Sequence, residues 1–312
     1  MAEQENVTEL LSDAYEKLRC VDLRMATDCL ERALAIDFEA PEVLWSLKCA
    51  NFWAERSARI EAMPNPFERG EYAIAQWKSF SSFASKLEGD FERALFAFKS
   101  YAFSLALAQY DVLPQDEKEA HHAELALRIG LCLKGRGDYV GALASLEAAA
   151  REKKEDAEVL AELADIYALQ GDERSSKALF REAFYVSAQR VDVELLESGM
   201  IRRLEAKVAE RGYTGAELAE WMPVYGALLG VFTVKRELKA VEVGKLRQSI
   251  YQLENEAKEG SEDRAYVVPR LINRYFWLID HYIAAKEDRA KIDEVLLKVR
   301  LLDQSVYKQY VA

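Results

Sequence analysis

Histidines are the first residues to examine for chemistry, and the sequence holds only three of them. Glu119 and His122 form one E-x-x-H step, which helical di-iron proteins use twice, each time with a further glutamate from another helix. His281 has no such partner at a suitable spacing. His121 and His122 are explained more simply as the solvated start of a helix. Because the chain also lacks a phosphate-binding loop, a dinucleotide fingerprint and a G-x-S-x-G motif, we expect no catalytic residues, no metal, no cofactor and no enzyme activity.

Cysteine chemistry is also not indicated. Cys20, Cys29, Cys49 and Cys132 lie among apolar residues and form no C-x-x-C pair. Such cysteines are typical of small buried thiols in a reducing compartment. A bridge between Cys20 and Cys29 across a helical hairpin remains the less favoured alternative.

The charge balance limits the partners that we expect. The sequence has 54 acidic and 42 basic residues, a net charge of -12, and no run rich in Lys or Arg. Since such a chain repels phosphate backbones, we expect no nucleic-acid partner.

The apolar run 221–234 is shorter than the ~20 residues that span a bilayer, so it predicts a buried helix and no membrane span. The first ten residues lack the pattern of a secretory signal, which predicts a cytoplasmic protein, or a periplasmic or other extracytoplasmic one if a signal has been removed.

Helical periodicity runs through the chain and predicts an all-α fold. Leu143, Leu146 and Ala150 recur at steps of three and four residues, whereas no long stretch alternates at period two. The 6 prolines and 14 glycines are concentrated at a few turn-like places.

Polar residues mark two of the expected helix starts. Thr214 and Glu217 have the spacing of a capping box. Ser261 or Asp263 is predicted to cap the helix that runs through Tyr275. These signals place helices late in the chain, where no repeat is evident.

The stretch GRGDYVGALASLEAAA, residues 135–150, has a counterpart 34 positions further on. Gly137 aligns with Gly171, and Asp138 aligns with Asp172. Glycine can take the left-handed conformation that ends one helix, and aspartate can cap the next. We therefore interpret Arg-Gly-Asp at 136–138 as the turn of a helical hairpin and not as an adhesion motif. Five further pairs share the register: Gly130 with Ala164, Leu133 with Tyr167, Ala142 with Ser176, Leu146 with Phe180, and Ala149 with Ala183.

This pattern, with small residues at repeat positions 8, 20 and 27, a bulky residue at 24 and Gly-Asp between the helices, resembles the tetratricopeptide repeat, or TPR. The resemblance implies a right-handed α-solenoid of helical hairpins over residues 1–189. Residues 190–312 are then a non-canonical helical C-terminal region with one degenerate hairpin at 264–302. The clearest copies are 123–156 and 157–190, and degenerate copies are 8–40, 41–62 and 72–102.

In the TPR family, first helices line a concave groove that binds a peptide or a helix of another protein. The resemblance therefore implies a non-catalytic scaffold or adaptor. The lysine and asparagine with which some members grip a chaperone's C-terminal carboxylate are absent. The groove would suit an apolar or amphipathic segment with basic flanks. Its partner-facing positions are Tyr15, Trp45, Phe83, Leu127 and Leu131, with acidic edges at Glu158, Glu162 and Asp165.

Several alternatives remain at this stage. Aromatic residues at helical spacing are more often core than binding site, so packing explains the same side chains. A second function is that of a TPR accessory protein of a transport system, which holds a small apolar or acidic ligand and needs a pore or cavity. A helical enzyme without a familiar motif is the third. Weak self-association through residues 221–234 or the C-terminal hairpin is a further expectation.

Overall fold

The chain is all-helical in the computed structural model, which describes residues 6–258 and 264–312. These residues form sixteen α-helices and two short 3-10 turns, and no strand occurs among them. The predicted all-α class is therefore confirmed. The chain divides into two compact units, Met1–Glu152 and Lys153–Ala312.

The first unit is built around a cluster of aromatic side chains. Trp53 packs against Phe80 and Tyr101, with ring centroids 5.6 and 5.5 Å apart, and Phe80 packs against Phe98 at 5.6 Å. Such tilted and edge contacts stabilise a core beyond the area that they bury. The helices of this unit are α1 (Val7–Arg19), α2 (Leu23–Ile36), α3 (Pro41–Ala62), α4 (Pro66–Ala84), α5 (Glu92–Asp111), α6 (Gln115–Ala120), α7 (His122–Gly135) and α8 (Tyr139–Glu152).

The second unit has its own core, in which one long helix packs against three others. Its helices are α9 (Ala157–Leu169), α10 (Glu173–Ser187), α11 (Gly199–Ala209), α12 (Gly215–Leu228), α13 (Ala240–Lys258), α14 (Arg264–Ala284), α15 (Arg289–Leu302) and α16 (Gln304–Val311). Helix α14 packs against α12, α13 and α15. Phe276 of α14 stacks on Tyr310 of α16, with ring centroids 4.4 Å apart.

Consecutive helices pair where the sequence predicts hairpins. The clearest copies form the packed pairs α7 with α8 and α9 with α10. The weaker copies form α1 with α2, α4 with α5, and α14 with α15, whereas copy 41–62 is the single helix α3. Gly130 permits close approach within one pair, because a Cβ atom there would lie 2.6 Å from Leu146 Cγ. Helix α1 also packs against α5, a contact between distant parts of the chain that the repeat pattern does not predict.

The Arg-Gly-Asp triplet is the turn between α7 and α8, as predicted. Gly137 has φ +84°, in the left-handed region that favours glycine. The Asp138 N–H donates to the Leu133 carbonyl at 2.9 Å, and Asp138 Oδ1 accepts from the Gly141 N–H at 2.9 Å. Gly171, at φ +88°, makes the equivalent turn between α9 and α10.

Two residues other than glycine make this same turn elsewhere. Val21 has φ +62°, and the following Asp22 N–H donates to the Lys17 carbonyl at 2.9 Å. Lys286 has φ +55° at the corresponding position between α14 and α15. A side chain in this conformation costs roughly 1–2 kcal/mol, so both turns store strain that glycine would relieve.

The cysteines differ in part from the expectation. All four are free, in agreement with the prediction of reduced thiols, and Cys29, Cys49 and Cys132 are buried. Cys20 is exposed, so its predicted burial is wrong. The reason is its position at the end of α1, where the chain leaves the packed face of the helix.

Three predictions about helix ends have different outcomes. Thr214 is the residue before α12, but its side chain makes no capping hydrogen bond, so the predicted capping box is not formed. Ser261 and Asp263 lie outside the described residues. The apolar run 221–234 is helical only up to Leu228, and the remainder begins with a turn at 229–232 and continues without regular secondary structure. Across residues 6–258 and 264–312, every helix is too short or too polar to be a membrane span.

Candidate functional site

Most side chains of the predicted groove lie in the core. Tyr15, Trp45, Leu127 and Leu131 are at most 5% exposed. Tyr15 donates its hydroxyl to Glu42 at 2.7 Å, and the Trp45 ring packs edge-on against two phenylalanine rings of the first unit. This burial favours the alternative that these residues are structural. That they contact a partner stays a prediction.

The predicted acidic edge is also largely buried. Glu162 is 3% exposed and Asp165 is fully buried, while Glu158 is half-buried. The two carboxylate oxygens of Asp165 accept hydrogen bonds from the backbone N–H groups of Glu197 and Ser198, both at 2.8 Å. Asp165 thus fixes the chain just before α11, which is a structural role within the second unit.

Phe83 is the groove aromatic that remains half-buried. Its ring stacks on that of Phe52, with centroids 5.0 Å apart, and the Arg56 guanidinium lies 3.3 Å from the Phe52 centroid. Arg56 is held in place because it also donates to Gln76 at 3.0 Å. We call Phe52, Arg56 and Phe83 the Phe52–Phe83 patch. Phe83 is among the predicted groove residues, whereas Phe52 and Arg56, which come from α3, are not.

The second unit contains a pocket of about 500 Å³, here called the α10–α13 pocket. It is bounded by α10, α13, the start of α9 and the irregular segment 229–239. Pockets of 300–1,000 Å³ with mostly apolar walls are typical of small-molecule sites. The apolar wall is formed by Leu160, Leu179, Val186, Val234 and Leu238.

One cation of the pocket is already neutralised. Arg236 forms ion pairs with Glu182 of α10 and, at 2.8 Å, with Glu242 of α13. The hydrogen bond that Arg236 donates to Glu182 is the main reason why the pKa of Arg236 is raised, and the hydrogen bond that Arg236 donates to Glu242 holds the pKa of Glu242 below its usual range. These pairs attach the irregular segment 229–239 to both helices and so form one wall of the pocket.

A different set of groups lies around Tyr185, which lines the same pocket. The Arg274 guanidinium lies 3.8 Å from the centre of the Tyr185 ring. Arg274 donates from Nε to Ser249 at 3.3 Å, but its buried Nη1 has no hydrogen-bond partner among the described residues. Burial lowers the pKa of Arg274 and raises that of Tyr185. Lys154, Glu155 and Lys245 complete the charged lining.

The residues first considered for chemistry do not assemble into a metal centre. His122 Nδ1 lies 2.6 Å from Glu152, and Glu119 accepts a hydrogen bond from Gln115. Within the described parts of the chain, no three His, Cys, Asp or Glu residues are grouped so that they could hold a metal ion.

Comparison with known proteins does not assign the chain to a family. No protein-family model matches it, and no curated protein or solved structure is significantly similar to it.

Proposed function

We propose that this protein is a non-catalytic scaffold of the tetratricopeptide type, whose hairpins belong to a right-handed α-solenoid and which binds a segment of another protein. The observation that supports this proposal is the recurrence of one turn, with the same backbone hydrogen bonds, at Gly137 and 34 residues later at Gly171. Proteins built from such helical hairpins commonly act as binding surfaces for peptides and helices.

The Phe52–Phe83 patch is the binding surface that this function favours. Aromatic and arginine side chains are enriched in the cores of protein interfaces, where a few residues carry most of the binding energy. Here the rings are stacked and Arg56 is fixed over one of them, so the patch is already ordered before a partner binds. Its apolar faces suit an apolar side chain of an amphipathic segment.

Site-directed photo-crosslinking tests this function. Ser79 is exposed on α4, one turn before Phe83, and a photo-reactive amino acid placed there should capture the partner in native cells. The same amino acid at exposed Ser305 serves as the control. We expect one protein to be crosslinked from position 79 and not from 305, and its yield to fall when Phe83→Ala is added to a variant that circular dichroism shows to be folded. Capture that is equal at both positions, or unchanged by Phe83→Ala, would contradict the proposal.

The α10–α13 pocket favours a second function, namely that of an accessory protein of a transport system which holds a small apolar or acidic ligand. The pocket volume of about 500 Å³ and its apolar wall support this function, and neither is needed by a scaffold that uses only its outer surface. Native mass spectrometry of the protein purified from its own cells tests it. A ligand would appear as an added mass that is lost on mild activation, whereas the mass of the bare chain alone would count against a retained ligand.

A further inference from the structure

Two lysines line the α10–α13 pocket on the side of Tyr185. Helices α9 and α10 form a hairpin, so the start of α9 lies beside the end of α10, and the ion pair of Asp156 with Arg190 at 2.8 Å joins these two ends. Lys154, just before α9, is therefore at the end of the pocket where α10 contributes Tyr185 and Val186.

Helix α13 brings a second lysine to the same end. Glu242 is linked through Arg236 to Glu182, which fixes the level of the first turn of α13 against α10. Ser249 is linked through Arg274 to Tyr185. Lys245 lies between these two levels and lines the pocket beside Tyr185.

The charges at this end do not cancel. Lys154 and Lys245 form no ion pair with a described residue, whereas Glu182 and Glu242, which also line the pocket, are both paired with Arg236. Outside these ion pairs the charged lining consists of the two lysines and Glu155. The lysines therefore outnumber the remaining carboxylate next to an apolar wall, and Tyr185, which carries a hydroxyl donor, lines the same pocket.

We propose that the α10–α13 pocket binds an amphiphilic monoanion, a molecule with an apolar body and one carboxylate, with the carboxylate at Tyr185, Lys154 and Lys245. The apolar body lies along Leu179, Val186 and Leu238. This inference rests on the second function proposed above and specifies its ligand class. The chemistry is that of a charged hydrogen bond to a carboxylate combined with the burial of apolar surface.

Three probes with the same tail test the inference by isothermal titration calorimetry of the full chain: octanoate, 1-octanol and octylammonium. We expect octanoate to bind most tightly and octylammonium most weakly. Lys245→Gln should weaken octanoate binding by about two- to fivefold, the range for one partly exposed charge pair, and should leave 1-octanol binding unchanged. Lys154→Gln should have a similar effect, and the double variant should exceed either.

Matched variants separate local from general effects. Lys308→Gln removes an exposed lysine of the same unit and changes the net charge equally, so it should not alter octanoate binding. Ala178→Phe places a ring in the pocket and should abolish the binding of all three probes. Binding that persists in Ala178→Phe, or a Lys308→Gln effect as large as that of Lys245→Gln, would overturn the assignment to this pocket.

The possible failures are distinguishable. If octanoate and 1-octanol bind equally well and both are lost in Ala178→Phe, the pocket holds apolar ligands but the preference for an anion is refuted. If none of the probes binds, the ligand-holding function itself is refuted for this pocket, and the scaffold proposal is unaffected because it depends on the Phe52–Phe83 patch.

Discussion

Replacing Asp165 by asparagine should destabilise the second unit by about 2 kcal/mol. The carboxylate is fully buried, and each of its oxygens accepts one backbone N–H at 2.8 Å. Asparagine is nearly the same size but keeps only one acceptor oxygen and turns an NH₂ group toward the other N–H. One charge-assisted hydrogen bond, worth roughly 1.5–3 kcal/mol, is therefore lost and two donors face each other. The smaller desolvation of a neutral amide offsets part of this loss.

The assay is urea unfolding followed by circular dichroism, with the midpoint and the slope compared between variants. Asp172→Asn is the matched control because it makes the same chemical change at an exposed helix cap, where Asp172 accepts from the Ser175 N–H at 3.1 Å. Asparagine caps helices as well as aspartate does, so this control should stay within about 0.5 kcal/mol of the wild type.

The result also decides between two interpretations of Asp165. If the residue faced a partner from the edge of a groove, Asp165→Asn would leave the free energy of unfolding unchanged and weaken only binding. A loss below about 0.5 kcal/mol, equal to that of the Asp172→Asn control, would refute the structural role that the geometry assigns to Asp165.

Three further predictions address the turns, the thiols and the acid response. In the folded protein one of the four thiols should react rapidly with a thiol reagent, Cys20→Ser should remove that reaction, and a second fast thiol would contradict the burial of the others. Lys286→Gly should raise the free energy of unfolding by about 0.5–1 kcal/mol in urea, since it relieves a positive φ at an exposed side chain; a decrease would show that the turn is not strained. Burial alone would raise the pKa of Glu254, but hydrogen bonds from Tyr275 at 2.7 Å and Lys298 at 2.9 Å hold it below its ordinary value. The stabilisation by Glu254 is therefore complete above about pH 5 and lost as the pH falls through the lowered pKa, so stability measured from pH 6 to 3 should fall less steeply in Glu254→Gln than in the wild type.

The helical hairpins could be predicted because their signals are local. A glycine that adopts positive φ and an aspartate that caps the next helix are adjacent in sequence, and both act within one turn of the chain. The structure accordingly has the turn between α7 and α8 at Gly137 and Asp138, and the turn between α9 and α10 at Gly171 and Asp172. The local sequence does not predict the turn at Val21, because the packing of α1 and α2 imposes a positive φ that valine itself disfavours.

The candidate sites could not be predicted to the same extent, because burial depends on which distant helix covers a face. The repeat template predicts Tyr15 and Trp45 at partner-facing positions, but it does not state whether a partner or the chain itself fills the space. In the first unit the chain fills it, since α1 packs against α5 and Trp45 against Phe98 of that helix. Phe52 and Arg56, which remain half-buried, were not among the residues predicted to contact a partner.

The α10–α13 pocket was even less predictable from the sequence than the burial of the groove residues. Its charged lining comes from residues as far apart as Lys154 and Lys245, and no spacing in the sequence connects them. They come together only because Arg236 pairs with carboxylates on two helices and Arg274 joins a third helix to Tyr185. The two arginines have different partners: Arg236 is neutralised by Glu182 and Glu242, whereas Arg274 donates to Ser249 and lies over the Tyr185 ring. Lys154 and Lys245 have no such ion pair, so a carboxylate in the pocket would give them a charged hydrogen-bond partner. The feature that the sequence could not predict is therefore the one that gives the pocket its expected preference for a carboxylate.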